Sequence, residues 1–319
     1  MIKKSALTLL LLFTFALNVC AMSKVYIIKT ADRIEGIKTL FNEFKIPDLK
    51  GKKIVIKPNF NSDDDFPATT HPTTLKTVIE LLKAQAPASI TIIERSGMGD
   101  TQKVLKNRGV ESLAKEESVK LINLDKLEKS AWVKKGEKGS HWLRGYLVPQ
   151  VLLEADYVVN IPCLKTHRFG GDFTLSLKNN VGCVAKWDGA YNYMWELHAS
   201  RSQRLMIAEI NQSIPCDLII MDGIKAFTDM GPDKGKLIEP GVMLAATDRI
   251  AIDAAGVAVL RIYGTTKKVM QGKIFEQEQI KRAAELGIGV KSPAEIEIIP
   301  INTETKSLAE KIQKTLNSL

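Results

Sequence analysis

An α/β fold, with a mainly parallel sheet and helices on both faces, is predicted by three observations. Short β-branched runs alternate with longer stretches whose apolar residues recur at helical spacing. Several of those runs end in polar residues that a core would not select, which is what the carboxyl edge of an open sheet looks like. Residues 22–319 can bury a sizeable core, and no linker, internal repeat or low-complexity tract divides them, so one domain is expected.

The elements follow in chain order. KVYIIK at 24–29 reads as a strand, and Ile34, Ile37, Leu40, Phe41 and Phe44 then mark a helix. Ile54, Val55 and Ile56 form a second strand, and Leu75, Val78, Ile79 and Leu82 a second helix. ITII at 90–93 is a third strand ending at Glu94. Gly97 and Gly99 turn the chain, Asp100 or Thr101 caps the next helix, and Gly109 ends it. A fourth strand is expected within 119–124. Residues 126–146, rich in Lys, Gly and Glu, interrupt the rhythm and read as an inserted, exposed excursion, a hairpin being one form it could take. Strands resume at 157–161, 218–221 and 242–246, and residues 249–260 form an amphipathic helix. The last fifty residues read as a helix, a strand at 295–301 and a closing helix.

The first twenty-one residues have the form of an export signal. Lys3 and Lys4 precede an apolar run, which closes on Val19-Cys20-Ala21, small residues at the positions a signal peptidase reads. The run is shorter than the ~20 apolar residues that a membrane-spanning helix requires. The expected product is exported, periplasmic or secreted. Asn18-Val19 is a poor context for lipid attachment at Cys20, and no transmembrane segment is expected after cleavage. The net charge of +9 falls by two with Lys3 and Lys4, and the remaining charges are scattered. No basic patch interleaved with aromatics points to nucleic acid. Oligomeric state is left open. Three cysteines remain, Cys163, Cys183 and Cys216, all in apolar surroundings. They form no C-x-x-C pair, which argues against an iron–sulfur cluster or zinc ribbon and for buried thiols, with at most one disulfide.

Three segments could carry chemistry. The first begins at Lys57-Pro58-Asn59, the end of the second strand, and continues to Thr69–Thr74. There Pro72 opens a helix whose free N–H groups could receive an anion beside His71. The second and densest, 160–182, leaves a strand at Asn160 and carries Lys165, His167, Arg168, Lys178, Asn179 and Asn180 around Gly170-Gly171. Cations, a histidine and amides in one loop suit a carboxylate or phosphate, with Lys or His available for proton transfer. The third, 221–232, places Asp222 at a strand exit, where it could position a divalent cation or simply make an Asp-Gly turn. There is no G-x-S-x-G elbow, phosphate loop, H-E-x-x-H or G-x-G-x-x-G, so no nucleotide motif is present. None of the four histidines (71, 141, 167, 198) is paired at metal-ligand spacing.

At these residues the sequence resembles the family catalogued as domain of unknown function 362. The matching stretches are IVIKPNF (54–60), TTHPTTLKTVIELLKA (69–84), NIPCLKTH (160–167), LSLKNNVG (175–182), MDGIKAFTDMGP (221–232) and TDRIAIDAAG (247–256). The resemblance implies an α/β domain and supplies no settled activity. Many relatives carry a cysteine-rich ferredoxin-like module that does not appear in these 319 residues, which argues against electron transfer. More distantly, the run 165–178 is similar to the substrate and cofactor loop of nickel-pincer lactate racemases.

The expectation is therefore an exported protein with one anion-binding cleft at the sheet's carboxyl edge. His71, His167 and Lys165 are its candidate catalytic groups. Lys57, Asn59, Lys178, Asn179 and Asn180 are its substrate ligands, and Asp222 is a candidate metal ligand. The alternatives are a non-catalytic periplasmic binding protein or an envelope interaction module.

Overall fold

Alternating side-chain direction along strands that are buried on both faces explains why this chain builds a two-faced sheet. In the computed structural model, which describes residues 22–136 and 138–318, the even residues Ile54, Ile56, Ile92 and Ile220 pack on one face. The odd residues Val55, Ile93, Ile219 and Met221 pack on the other, as a period of two dictates. The export segment proposed for residues 1–21 lies outside the described residues.

The first half of the chain runs strand, helix, strand. β1 (Ser23–Lys29) leads to α1 (Arg33–Glu43), β2 (Lys53–Lys57) to α2 (Pro72–Lys83), and β3 (Ser89–Glu94) to α3 (Thr101–Asn107) and α4 (Val110–Glu116). Asp32 and Asp100 cap α1 and α3 by accepting backbone N–H bonds, and His71 does the same for α2. β4 (Lys120–Asn123) completes this half. The excursion follows as a hairpin of β5 (Trp132–Lys135) and β6 (Tyr146–Pro149). It is exposed over most of 126–146 but not adrift. Trp142 and Tyr146 are buried, and the Trp142 indole N–H donates to the carbonyl of Met206 at 3.1 Å.

The second half begins with α5 (Gln150–Leu153), β7 (Tyr157–Asn160), β8 (Cys163–His167), β9 (Asp172–Thr174) and α6 (Ser176–Asn179). A small ribbon of β10 (Trp187–Asp188) and β11 (Tyr191–Asn192) precedes α7 (Tyr193–Ala199) and α8 (Gln203–Glu209). The long β12 (Leu218–Phe227), β13 (Leu237–Ile238), β14 (Val242–Ala246) and α9 (Arg249–Ile262) follow. The chain closes with α10 (Lys267–Met270), α11 (Glu278–Glu285), β15 (Ile296–Pro300) and α12 (Lys306–Asn317).

The main sheet has the order β15-β1-β14-β12-β7-β2-β3-β4. Every neighbour pair along it is parallel except the two made by β14. β14 is antiparallel because the connection over 228–241 contains no helix and its β13 folds back on β12, returning the chain as a hairpin rather than a helical crossover. α1, α2, α3 and α4 cover one face. α9, α11 and α12 cover one half of the other face, and the excursion with α7 and α8 covers the rest. No helix among the described residues is long and apolar enough to cross a membrane.

β12 outruns its neighbours, and this creates the site. β7 pairs with its first residues, Leu218 and Ile219. After Ile161-Pro162 the chain continues as β8, which pairs with Asp222 and Phe227 farther along. β8 and β9 thus project past the carboxyl ends of β2, β3 and β7, and α6 turns back toward those ends.

Candidate functional site

Strand alternation sorts the side chains of β8. Lys165 and His167 share one side, and Thr174 joins them because the β8–β9 register sets it opposite Lys165. Leu164 points the other way into the core, and the Thr166 hydroxyl donates to the carbonyl of Phe227. Lys165, His167 and Thr174 line a cavity of ≈ 80 Å³ at the carboxyl edge, together with Lys57 and Asn59 from the end of β2, Glu94 and Arg95 from the end of β3, and Lys178 and Asn179 of α6. Phe169 and His198 stand at its mouth and also line an open groove with Arg201 and Arg204.

The cations of the wall are fixed by neutral acceptors and one carboxylate. Lys57 meets Glu94 at 2.7 Å, with both side chains almost wholly buried, and also donates to the carbonyl of Pro58. The second Glu94 oxygen accepts the Phe60 N–H at 2.7 Å. Gly182 is required here, since a Cβ would lie 2.9 Å from both the Lys57 Nζ and the Glu94 carboxylate. Arg95 donates to the carbonyls of Val181 and Val184 at 2.6 and 2.8 Å. Lys165 is fully buried and donates to Asn59 Oδ1 at 2.9 Å and to the carbonyl of Ala68. Burial lowers its amine from the ordinary value.

From Lys165 a file of asparagine amides runs into the protein. Asn59 donates to Asn179, Asn179 to Asn160, Asn160 to Asn180 and Asn180 to Asn211, at 2.7–3.0 Å each. Arg249, at the start of α9, donates to the same Asn211 oxygen at 3.0 Å. A second tie from α9 sets α6 itself. The buried Asp253 carboxylate accepts the N–H groups of Ser176 and Leu177 at 2.7 and 3.1 Å. Burial raises that carboxyl to about 8 against the opposing pull of the two N–H donors.

Three groups in the wall stand apart from this saturation, and one is the Thr174 hydroxyl, buried without a partner among the described residues. Lys178 is 8% exposed, and its amine has no hydrogen bond or ion pair among the described residues. Burial, then the charges of Lys165 and Arg95, brings it down to about 7. His167 is 6% exposed and its Nδ1 is buried without a partner. Burial, with Lys178 as the largest charge effect, keeps the imidazole well below its ordinary value and therefore neutral. Lys178 and His167 meet over Gly171. A Cβ there would lie 2.4 Å from Lys178 Cε and 3.1 Å from His167 Nδ1, so the missing side chain at Gly171 leaves room for the end of the lysine and for the imidazole.

Of the residues singled out from sequence, Lys57, Asn59, Lys165, His167, Lys178 and Asn179 share this cavity. Asn180 is buried behind them in the amide file and does not line it. His71 is not part of it. It caps α2, its Nδ1 accepting from Thr73 N, and lines a separate depression with Arg33, Phe66 and Arg108. The single cleft expected to include His71 is thus corrected to two separate places.

Asp222 is also elsewhere. It shares the parity of Ile220, which points to the α1–α2 face, and its carboxylate is taken by Arg33 and Thr74 at 2.7 Å and by the Ile224 N–H at 3.1 Å. Those bonds fit a structural ion pair rather than a metal ligand. Among the described residues no group of three or more His, Cys, Asp or Glu is placed to hold a metal ion. Sequence reasoning assigned no site role to Arg95, Thr174, His198 or Asn211; Arg95 stood at a polar strand end and His198 among the four histidines, while Thr174 and Asn211 carried no signal of their own. The three cysteines are free thiols, raised by burial to about 11 for Cys163 and about 12 for Cys183 and Cys216.

Fold and site together define an α/β protein with a cation-lined cavity beyond the carboxyl edge of its sheet. The chain belongs to the family described as domain of unknown function (DUF362), whose model matches residues 54–258. It is 31% identical over 150 residues to the thylakoid-associated protein sll1697 of Synechocystis sp. (strain ATCC 27184 / PCC 6803 / Kazusa), a match covering 45% of this chain and 44% of that protein. The chain therefore matches less than half the length of that relative. Among solved structures it aligns with the lactate racemase apoprotein from Thermoanaerobacterium thermosaccharolyticum at TM-score 0.42 and 15% identity, over 70% of this chain and 54% of that one.

Proposed function

We propose that the cavity binds a small anion, a carboxylate or phosphate compound, and that Lys178 and His167 exchange a proton with it. One observation carries the reading: the buried Lys178, whose amine makes no hydrogen bond or ion pair among the described residues, and the imidazole of His167, whose buried Nδ1 is unpartnered, both approach Gly171 in a cavity lined by fixed cations. Lys165, Lys57 and Arg95 supply positive potential in a low-dielectric setting, where it attracts an anion far more strongly than at the surface. An amine near 7 and a neutral imidazole are suited to act as acid and base around neutral pH. A receptor would need only fixed donors, and two open proton-transfer groups favour an enzyme over a passive binder. The cavity holds on the order of six water-sized positions, so the ligand, or the part of it that enters, has about six heavy atoms.

Calorimetric titration with acetate, pyruvate and inorganic phosphate tests this. Saturable binding to the wild type that is weakened at least tenfold in Lys165→Gln supports the site, a loss of about 1.4 kcal/mol. Absence of binding, or binding indifferent to Lys165, overturns it.

The sequence of residues 1–21 further supports the proposal that the protein is exported and acts in the periplasm or outside the cell. N-terminal sequencing of the protein from a periplasmic or secreted fraction should begin at Met22. Recovery of uncleaved chain in the cytosol alone would end that proposal.

A further inference from the structure

We propose that Lys178 is a nucleophile that condenses with the carbonyl group of a small oxo acid to form an imine. This rests on the anion-binding reading above and names the substrate class for the same cavity.

The geometry carries it. An amine that only neutralised charge would be met by a carboxylate, as Lys57 is met by Glu94 at 2.7 Å. Lys178 has no such partner among the described residues: the one carboxylate of the wall, Glu94, is taken by Lys57, which leaves the neutral His167 as the base beside the amine. α6 is fastened from below by Asp253 and from the side by the Asn179 amide, so the backbone that carries Lys178 is tied at two places while its amine is not bonded. Such an amine keeps its lone pair free, which is what attack on a carbonyl carbon requires. The titration of Lys178 near 7 agrees with this, since a large share of the amine is neutral at physiological pH.

The carboxylate of the oxo acid would lie toward Lys165. Two of the three N–H groups of that ammonium are taken, by Asn59 and Ala68, and one remains. The carbonyl would then face Lys178 and His167, which adjoin over Gly171.

The step balances without any redox partner. The Lys178 lone pair forms a C–N bond as the carbonyl π pair moves to oxygen. The Nδ1 lone pair of His167 takes a proton from the new ammonium and delivers it to that oxygen, giving a carbinolamine. A second proton passed by the same route to the hydroxyl releases water as the nitrogen lone pair forms the C=N bond. Amine and oxo acid become imine and water, and the imidazole is regenerated neutral. Gly171 has room for this chemistry only because it lacks a Cβ.

The test uses the full chain, pyruvate or glyoxylate, and sodium cyanoborohydride to reduce any imine in place. Intact mass spectrometry should show one addition per chain equal to the acid less one oxygen atom, and peptide mapping should put it on Lys178. Labelling should saturate with acid concentration and fall when acetate is added as competitor. Its rate should rise as pH passes through about 7, where the amine becomes neutral. Lys178→Arg keeps the charge and should abolish the addition.

Mapping on the wild type does not depend on how the variant folds. If the acids bind by calorimetry but no addition maps to Lys178, the imine proposal fails and the anion site stands. If neither binding nor addition occurs, both fail. Addition spread over surface lysines, with none at Lys178, also overturns it.

Discussion

Replacing Lys178 with methionine separates what the amine costs the fold from what it does. The side chain is 8% exposed, and its amine sits near 7 rather than at its ordinary 10.5. When the folded-state value is the lower one, the unfolded chain binds more protons at every pH between the two. The penalty is then fully present below pH ~7, shrinks as pH rises, and is gone above the unfolded value. At about 1.36 kcal/mol per pKa unit, the gap amounts to roughly 4 kcal/mol at pH 7 and about 1 kcal/mol at pH 10. Methionine has a similar length, no charge and the flexibility to fill the space. Lys178→Met should therefore be more stable than wild type by a few kcal/mol at neutral pH, and most of that gain should vanish by pH 10. Urea unfolding at both pH values, with m-values compared to check the two-state assumption, measures this directly. A variant no more stable at pH 7, or one whose gain is the same at pH 10, would mean that the amine is not desolvated.

Further outcomes follow from the same geometry. Glu94→Ala leaves the buried Lys57 charge with only the Pro58 carbonyl and the Phe60 and Arg95 N–H groups without their acceptor, and should cost ~3–5 kcal/mol by urea unfolding. Asn211→Leu orphans the Asn180 amide donor, while Arg249 keeps the carbonyl of Ile214, and should cost ~1–3 kcal/mol, with the cavity's anion affinity also reduced. His167 titrates lower folded than unfolded, so stability should fall as pH drops below about 6.5, where only the unfolded chain takes up the proton. Thermal melts of His167→Gln should lose that part of the slope. Gly171→Ala presses a methyl on the flexible end of Lys178, so it should fold normally while binding small carboxylates more weakly, as read by calorimetry.

How much of this was legible in the sequence differs between elements. The strand–helix rhythm fixed the layers, because β-branched runs and 3.6-residue spacing are local properties. The antiparallel β14 was not legible, since it depends on a connection that folds back as a hairpin rather than on the strand's own residues. Lys57, Asn59, Lys165, His167, Lys178 and Asn179 came together because strand ends in a parallel sheet converge on one edge. Asp222, read from sequence as a strand end, lies inside β12, and His71 caps α2; both lie with α1 and α2 on the opposite face. Parity along β12 decides this for Asp222, but parity acquires meaning only once the helices are assigned to faces. The roles of Asn160, Asn180 and Asn211 were invisible, because an amide reads alike whether it meets water or another amide.

The file of amides has a sense of direction. Each asparagine offers its oxygen toward Lys165 and its nitrogen away, from Asn59 through Asn211. No member can rotate alone without setting oxygen against oxygen. Aspartate would lack the donor, leucine both groups, and glutamine would be a methylene too long. The five positions, scattered across 59–211, should therefore behave in mutational cycles as a single locus: the first substitution does most of the damage, and a second adds less than its own isolated cost. Variation at any one of them would be tolerated mainly when accompanied by change at its neighbour in the file, a dependence that distance along the chain gives no hint of.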